Sequence, residues 1–296
     1  MLQPLYGCIE AGGTKFVCAV GSSPETLCEP RIIPTADPAS TLQKVVAYFR
    51  EAEAGLGRLS AFGVASFGPA DVDSASPRWG TILGTSKPGW SNVDIRGAIA
   101  RAFDVPVGFD TDVDGAVLAE AHWGAAAVEV AAYVTVGTGI GAGVAVGGRA
   151  VHGKRHTEAG HIVPRRHPAD IDFAGVCPFH GDCLEGLASG PAIARRWGNT
   201  LSQLPAGHIA HEVTAWYLGQ LAIVLIATTA ADAVIFGGGV LKTPGLLNRI
   251  KTAASALNAG YWCDDSELAS IIREPALGAY AGLLGALLLA QSAASR

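Results

Sequence analysis

Apolar positions along the chain fall into two patterns, which predict strands and helices in alternation. Short apolar runs favour buried strands, and runs with helical spacing favour helices. The predicted strands cover residues 5–9, 16–20, 61–65, 105–109, 134–136, 144–146, 233–236 and 270–272. The predicted helices cover 41–54, 93–103, 115–124, 192–197, 211–231 and 248–259, with a closing helix within 275–290. Asn92 is the expected N-cap of the second helix. This mixture predicts an α/β fold.

Glycine turns interrupt the strand pattern at two places. The stretch 134–144 contains Gly137, Thr138 and Gly139 between β-branched residues, which is typical of a tight hairpin. Nearly bare backbone lets several N–H groups approach an anion such as phosphate. A structural hairpin without a ligand is the alternative reading.

The earlier turn, at residues 10–15, repeats the arrangement of strand, glycines and strand. Its candidate anion contacts are Glu10, Gly12, Gly13, Thr14 and Lys15. It is not a Walker loop, because strand rather than helix follows the lysine. An ordinary hairpin is again the alternative. A third glycine group, Gly237, Gly238 and Gly239, ends a predicted strand and would let a flat group lie against the backbone.

Three aspartates alternate where a predicted strand meets a predicted helix. Asp110, Asp112 and Asp114 flank Thr111 and Val113. A helix N-terminus favours the ionised carboxylate, and such a carboxylate can accept a proton from a hydroxyl nucleophile. We therefore expect a catalytic role for at least one of the three. Helix capping is the competing interpretation, because Asp is a common cap.

Two further loops are candidate ligand contacts. Gly68 and Pro69 follow a predicted strand, where α/β proteins place ligand loops. Lys87 and Trp90 flank a Pro-Gly turn, and an aromatic ring beside polar groups suits the apolar face and hydroxyl rim of a sugar. A surface turn with a packed tryptophan would give the same sequence.

A cluster of cysteines and histidines has the spacing of a metal site. Cys177, His180 and Cys183 lie within seven residues, and His161 is a plausible fourth ligand, with His167 as its competitor. Four such ligands fit a closed tetrahedral zinc site with a structural role. Reduced cysteines beside surface histidines are the alternative. Glu158 and Glu185 bracket the cluster and could bind ligand hydroxyls.

Composition narrows the class of protein. The chain has 296 residues, 49% of them hydrophobic, and a net charge of -5. It can fill a core, so disorder is excluded, and without a basic cluster nucleic acid is an unexpected partner. No signal peptide is visible, and we expect no disulfides among the six cysteines. The apolar runs 218–231 and 275–290 are shorter than the roughly 20 residues that span a bilayer. We expect no membrane partner.

These motifs, in this order, resemble the ROK family of sugar kinases over nearly the whole chain, and most closely its bacterial fructokinase branch. The matching segments are 10–15, 137–139 and 237–239, the Lys87–Trp90 turn, and the signature Glu158-x-x-His161 with Cys177-x-x-His180-x-x-Cys183-x-Glu185. The resemblance implies a two-domain actin-like, ribonuclease H-like ATPase fold with the ligand cleft between the domains. The expected domains are 1–113, closed by the helix at about 277–296, and 114–276, with a zinc-binding insert at about 158–186.

The resemblance also implies an activity, the ATP-dependent phosphorylation of a hexose, with D-fructose preferred. Asp112 matches the general base, and Glu10 would orient Mg²⁺. The expected nucleotide contacts are Gly12, Gly13, Thr14, Lys15, Gly137, Thr138, Gly139, Gly237, Gly238 and Gly239. The expected sugar contacts are Gly68, Pro69, Lys87, Trp90, Thr111, Asp114, Glu158 and Glu185. The resemblance also matches His161 to a sugar contact, but we favour zinc binding by His161, Cys177, His180 and Cys183. It further implies a cytoplasmic homodimer.

Two residues depart from the family pattern. Asp114 stands where the family usually has Asn, and an ionised Asp only accepts hydrogen bonds. Glu10 stands where many relatives have the shorter Asp. Glucokinase, mannokinase and a broad hexose kinase remain alternatives. A ROK-type regulator would need room for a DNA-binding motif before the first strand. A dinucleotide-binding oxidoreductase would need a helix after residues 137–142, where strand is predicted.

Overall fold

The computed structural model describes residues 4–295, which form ten strands and nine α-helices. The strands are β1 (Leu5–Ala11), β2 (Lys15–Gly21), β3 (Arg31–Pro34), β4 (Leu59–Ser66), β5 (Val107–Thr111), β6 (Val130–Val136), β7 (Ile140–Val146), β8 (Arg149–Ala150), β9 (Ala233–Gly237) and β10 (Ile272–Arg273). The helices are α1 (Pro38–Leu56), α2 (Ile95–Phe103), α3 (Asp112–Trp123), α4 (Leu184–Ala188), α5 (Gly190–Trp197), α6 (Ile209–Thr229), α7 (Leu246–Asn258), α8 (Asp265–Ile271) and α9 (Ala281–Ala294).

Internal contacts divide these elements into two units. The first contains the chain up to Ala119, the segment Val151–His156 and the residues from Ala279 onward. The second contains Glu120–Ala150 and Thr157–Gly278. The contacts therefore separate after Ala119, and Val151–His156 lies with the first unit although it follows β8 in the sequence.

The first unit is built on a five-stranded sheet of order β3-β2-β1-β4-β5. β1 pairs antiparallel with β2 and parallel with β4, and β4 pairs parallel with β5. The parallel register places the ends of β1, β4 and β5 side by side, since Glu10 pairs with Ala65 and Ala65 with Asp110. Functional side chains at these strand ends are thereby gathered at one edge.

Helix α9 packs against this sheet through close backbone approaches. A Cβ on Gly63 would lie 1.8 Å from the carbonyl oxygen of Ala286, and one on Gly108 would lie 2.3 Å from that of Leu289. Only glycine permits such contact between strand and helix backbones. The other face of the sheet buries aromatic residues, among them Phe49.

The second unit contains a five-stranded sheet of order β10-β9-β6-β7-β8. β6 and β7 form an antiparallel hairpin in which Val136 pairs with Ile140, and β9 lies parallel to β6. α6 packs against α7 and supplies much of the core of this unit. Short helices α4 and α5 follow the Cys/His segment, with Ser189 accepting a capping hydrogen bond from the Ala192 N–H.

Helix α6 is longer than the apolar run seen in the sequence. It has 21 residues and, among residues 4–295, is the one helix long and apolar enough to cross a membrane by length and composition. The prediction that this run is too short to span a bilayer is therefore wrong for α6. Its burial is more informative, because 61% of its most apolar window lies inside the protein, as expected of a core helix.

Several boundaries differ from the sequence predictions for local reasons. Asn92 is not the cap of α2; it has a positive φ of 64°, and Asp94 accepts the capping bond from the Gly97 N–H at 2.6 Å. Strand β3 was not predicted, because it has four residues and three of them are exposed. The predicted strand 270–272 is mostly the end of α8, and β10 begins only at Ile272.

Candidate functional site

The aspartate group at the end of β5 places its members in different environments. Asp110 and Asp114 are buried, whereas Asp112, the first residue of α3, is half-buried. The Asp112 Oδ1 atom accepts a hydrogen bond from the Val113 N–H at 2.9 Å. A carboxylate at a helix N-terminus is favoured in its ionised form. Asp112 is therefore the member of the group that a ligand could reach as a proton acceptor.

Glu10, near the end of β1, is electrostatically linked to Asp112. Burial, followed by the charge of Asp112, raises the pKa of Glu10 to about 7, and Lys15 opposes that shift. Helix α9 confines the side chain, because a Cβ on Gly282 would lie 2.7 Å from the Glu10 Cδ atom. Two carboxylates close together in a confined space favour the binding of a cation.

Hydrogen bonds to the backbone fix the shape of the first glycine turn, residues 10–15. The Gly12 N–H donates to the Lys15 carbonyl at 2.9 Å, and the Thr35 hydroxyl donates to the Gly12 carbonyl at 2.7 Å. The side chains of Thr14 and Lys15 are exposed. Gly13 has open space where a Cβ would point. This turn therefore presents backbone and two polar side chains to solvent, as an anion contact requires.

A histidine not considered from the sequence joins the two buried aspartates. The His152 Nε2 atom lies 3.0 Å from Asp110 Oδ1 and 3.4 Å from Asp114 Oδ2. The hydrogen bond to Asp110, followed by that to Asp114, raises the pKa of His152 to about 10. Burial raises the pKa of Asp110 to about 6, opposed by its bond to His152. We call Asp110, Asp114 and His152 the Asp/His cluster.

Thr111 and Asp114, expected at the sugar, face each other instead. The Thr111 hydroxyl donates to Asp114 Oδ2 at 2.6 Å and accepts from the Asp114 N–H at 3.1 Å. Asp114 is 0% exposed. In this structure neither side chain is open to a ligand. His152 lies 38 residues from Asp114, and no local pattern in the sequence could have indicated this pairing.

The Lys87–Trp90 turn does not present its tryptophan. Trp90 is 0% exposed, its Nε1–H donates to the Ala36 carbonyl at 2.9 Å, and its ring packs against Phe16 and Phe67. The expectation of a sugar-facing ring is wrong, and the packed alternative holds. Lys87 is half-buried and donates to the Thr35 carbonyl at 3.3 Å.

The Gly68–Pro69 loop is joined to the segment Val151–His156. Its Gly68–Pro69 peptide bond is cis. The N–H of Ala70, the next residue, donates to the Nε2 atom of His156 at 3.1 Å. Both residues of the loop are half-buried. The loop thus remains partly open beside a second histidine of that segment.

The second glycine turn is closed by a carboxylate. The Gly137 N–H donates to the Gly139 carbonyl at 2.9 Å, and Glu185 Oε2 accepts from the Ile140 N–H at 2.9 Å. A Cβ on Gly139 would lie 2.6 Å from that same oxygen. Thr138, at the tip, is exposed. Glu185, expected to bind sugar, therefore also supports the hairpin.

The three glycines at the end of β9, Gly237 to Gly239, have different structural surroundings. A Cβ on Gly237 would lie 2.2 Å from the Tyr133 hydroxyl. Gly238 has a φ of +93°, which strains any other residue. Gly239 is exposed and has open space around it. The first two glycines therefore have structural causes, and Gly239 is the one that leaves room for a ligand.

The four predicted zinc ligands come together. The ligand atoms of His161, Cys177, His180 and Cys183 all lie within 4.8 Å of one another. His161 Nδ1 is 3.4 Å from the Cys183 sulfur and 3.8 Å from that of Cys177. Around a tetrahedral zinc with bonds of about 2.0–2.3 Å, ligand atoms lie about 3.3–3.8 Å apart. The donor set and spacing fit zinc, and we call these residues the Cys/His cluster.

The competing ligand, His167, lies outside this cluster. Its Nδ1 atom accepts from the Ala169 N–H at 3.1 Å, and its Nε2 atom is 3.7 Å from Glu212. His161 uses its two nitrogens differently, since Nε2 faces Glu158 at 4.0 Å while Nδ1 faces the sulfurs. The geometry favours His161 as the fourth ligand.

The sequence profile of the ROK family matches residues 6–293. The chain belongs to the ROK family. Among ROK relatives, a fructokinase from Zymomonas mobilis is 42% identical over 99% of both chains. A putative fructokinase from Bacillus subtilis is also 42% identical, over 98% of this chain and 96% of its own. The family resemblance seen in the sequence is thereby confirmed.

Solved structures agree with this membership. A ROK hexokinase from Thermus thermophilus aligns with a TM-score of 0.77 and 28% identity, covering 97% of this chain and 98% of its own. The α/β prediction for this ROK protein is confirmed, with two mixed sheets and helices. The alternation of strands and helices, together with the glycine turns, was sufficient to predict that class.

Proposed function

We propose that this protein transfers the γ-phosphoryl group of ATP to the primary hydroxyl of D-fructose, giving fructose 6-phosphate and ADP. The observation that carries the proposal is the 42% identity, over 99% of both chains, to a protein named fructokinase. Two further fructokinases, from Streptococcus mutans and Lactococcus lactis, are 40% and 37% identical. The N-acetylmannosamine kinase of Escherichia fergusonii is only 28% identical.

Asp112 is the proposed general base. Its half-buried carboxylate at the start of α3 can take the proton of the hydroxyl as the oxygen forms its bond to phosphorus. The bond between phosphorus and the ADP oxygen breaks in the same step. The neighbouring carboxylates Asp110 and Asp114 are buried, and both lie within hydrogen-bonding distance of His152. Asp112 is therefore the best-placed base of the three.

Glu10 is the residue proposed to orient Mg²⁺. Its carboxylate has a raised pKa because it is buried near Asp112, and a cation would relieve both effects. Mg²⁺ neutralises phosphate charge during transfer. The exposed Thr14, Lys15 and Thr138 and the open Gly13 are proposed phosphate contacts, and Gly239 a nucleoside contact. Gly12, Gly137, Gly237 and Gly238 would shape these turns.

The proposed sugar contacts are Gly68, Pro69, Lys87, Glu158 and Glu185. Glu158 is exposed, and Gly68, Pro69, Lys87 and Glu185 are half-buried. The Cys/His cluster is proposed to bind a structural zinc, since four protein ligands leave no open coordination position. Fixing Cys183 would also fix Glu185, two residues later, against the hairpin. A cytoplasmic homodimer is expected from the family alone.

The substrate is tested by a coupled ADP-release assay over D-fructose, D-glucose, D-mannose and N-acetylmannosamine. D-fructose should give the highest kcat/KM. Equal rates on every hexose would contradict the fructose proposal and favour a broad hexose kinase. A higher kcat/KM for glucose or mannose would favour those kinases.

The base is tested by Asp112→Asn, which keeps the size of the side chain. We expect kcat to fall by about 10²–10⁴-fold, the usual contribution of a general base. ATP binding, measured by calorimetry, should be retained, and the thermal unfolding midpoint should stay close to that of the wild type. A kcat near the wild-type value would exclude Asp112 as the base.

A further inference from the structure

We propose that His152 is a positioning residue: as an imidazolium bound to Asp110 and Asp114, it holds the backbone that presents Asp112. The inference rests on the proposed function in one respect, the role of Asp112 as the base. The arrangement of the Asp/His cluster itself is independent of that role. The cluster occupies the junction of β5 and α3, where Asp112 is the next residue but one to both aspartates.

The charge of the cluster requires a cation. Asp110 and Asp114 are 5% and 0% exposed, and burying two ionised carboxylates together is costly unless they are paired. His152 provides the pairing, with one nitrogen within hydrogen-bonding distance of both acids. Two carboxylates and one imidazolium leave the cluster with a single negative charge.

The hydrogen bonds of the cluster fix the chain on both sides of Asp112. Before it, Asp110 Oδ1 accepts from the Thr111 N–H at 2.8 Å as well as facing His152. After it, Asp114 exchanges two hydrogen bonds with Thr111 and also faces His152. The backbone carrying Asp112 is therefore bound at both ends through one imidazole ring. A general base must keep its geometry to act, so the ring affects turnover without touching substrate.

The segment that carries His152 is suited to this task. Val151–His156 belongs to the first unit although it follows β8 in the chain. It is joined to that unit through His152 at the cluster and through His156 at Ala70. Its other charged residues, Lys154 and Arg155, are exposed.

Within residues 4–295, the acidic partners of His152 come from two elements. His152 itself faces Asp110 on β5 and Asp114 on α3. Asp112, between the two acids in the chain, raises the pKa of Glu10 on β1, and Lys15 opposes that shift. Among the residues that face the cluster, His152 is thus the cation that compensates the two buried acids. The same pairing accounts for Asp114, a negative charge where the family has a neutral Asn.

The test is a double-mutant cycle with His152→Gln and Asp114→Asn, measured as kcat and KM for D-fructose. His152→Gln leaves two uncompensated acids and should lower kcat by about 10–100-fold, part of the contribution of a base. KM should change by less than about threefold, since the residue does not contact substrate. In the double variant the cluster again has one negative charge. The kcat of the double variant should be at least about tenfold higher than that of His152→Gln, which is non-additive behaviour.

The matched control is Lys154→Gln, which removes a positive charge from the same segment without touching the cluster. Its kcat should equal that of the wild type. A purely structural role for His152 predicts that Asp114→Asn adds to the loss in the double variant, and this result would overturn the proposal. An unchanged kcat in His152→Gln would overturn it as well.

A second measurement separates this inference from the proposed function. NMR of ¹⁵N-labelled histidines reports the charge of His152 directly, without any substrate. We expect a charged ring at pH 8 in the wild type and a neutral ring in the Asp110→Asn, Asp114→Asn variant. A neutral ring at pH 8 in the wild type would overturn the proposal even if fructose is phosphorylated. A charged ring in a protein that phosphorylates no sugar would leave the pairing supported and contradict only the role of Asp112.

Discussion

The Cys/His cluster and the Asp/His cluster bring similar groups together with opposite electrostatic outcomes. In each, three or four potential metal ligands lie with their ligand atoms within 4.8 Å of one another. In the Asp/His cluster the histidine supplies a positive charge to two acids at hydrogen-bonding distances. In the Cys/His cluster two thiols lie against two imidazoles with no carboxylate among the four groups, and burial raises the pKa of Cys183 to about 11.

The difference shows how donor chemistry decides whether a cluster needs an ion. Carboxylates and an imidazole can neutralise one another by moving a proton. Thiolates and neutral imidazoles are soft or borderline ligands, and four of them make a complete coordination set for a metal such as zinc. Proximity of ligand atoms alone therefore does not indicate a metal site. We expect the first cluster to depend on zinc and the second on protonation.

The largest expected effect is that of Cys183→Ser on the proposed zinc site. Structural zinc sites contribute directly to folding free energy. We expect less than about 0.2 zinc per chain and a thermal unfolding midpoint lower by roughly 10 °C. Metal analysis of the purified protein and calorimetry measure the two quantities.

Cys263→Ser is the matched control, because Cys263 is also a free thiol but lies outside the cluster. It should keep about one zinc per chain. If the wild type itself contains well under one zinc, the cluster is not a zinc site. In that event both serine variants should unfold near the wild-type temperature.

A smaller effect is expected for His152→Gln on the pH dependence of stability. The folded protein holds the pKa of His152 at about 10, above its ordinary value of 6.5. The charged His152 ring therefore stabilises the folded state fully below about pH 6.5. This contribution is lost as the pH rises through about 10. His152→Gln should therefore lower the midpoint by about 4 °C at pH 7, and the difference should shrink toward pH 10. A difference that is constant with pH would show that the lost contribution is packing rather than charge.

The two clusters also differ in how far sequence could predict them. Cys177, His180 and Cys183 lie within one short segment, so their spacing was visible, and only the choice between His161 and His167 needed the structure. The Asp/His cluster joins β5 to a segment about forty residues later, and its histidine has no local pattern. Chain reversal through β6, β7 and β8 creates that proximity, and spacing in the sequence cannot express it.

The fold shows the same division between local and distant causes. Strand composition and glycine turns predicted β1, β2 and the β6–β7 hairpin, because both signals are local. The packing of Trp90 was one of two readings of its turn, and the choice needed the structure, since its neighbours Phe16 and Phe67 come from β2 and the loop after β4. The cap of α2 was misplaced by two residues because Asn92 and Asp94 are both good caps in sequence, and only Asp94 has the backbone conformation for it.

A further comparison concerns the hairpin beside the Cys/His cluster, where Gly139→Ala and Gly137→Ala form a matched pair. A Cβ on Gly139 would displace Glu185 Oε2 from the Ile140 N–H. Losing a hydrogen bond to a charged acceptor should cost about 1–2 kcal/mol of unfolding free energy. A Cβ on Gly137 meets nothing within 4 Å, so this variant should be neutral or slightly stabilising. Urea denaturation measures both, and equal stabilities would indicate that Glu185 does not support the hairpin.

The smallest expected effect is that of His167→Gln on metal content, which we expect to be none. His167 stands close in sequence to the cluster, but its Nδ1 atom accepts from Ala169 and its ring packs against Trp216. Glutamine can still accept the hydrogen bond from Ala169, so the loss of stability should stay within about 1 kcal/mol. His161→Gln, by contrast, removes a nitrogen that faces both cysteine sulfurs, and zinc should fall to well below one per chain. If His167→Gln lost zinc while His161→Gln kept it, the ligand set would have to be redrawn around His167. His161, with Nε2 toward Glu158, would then be available to a sugar.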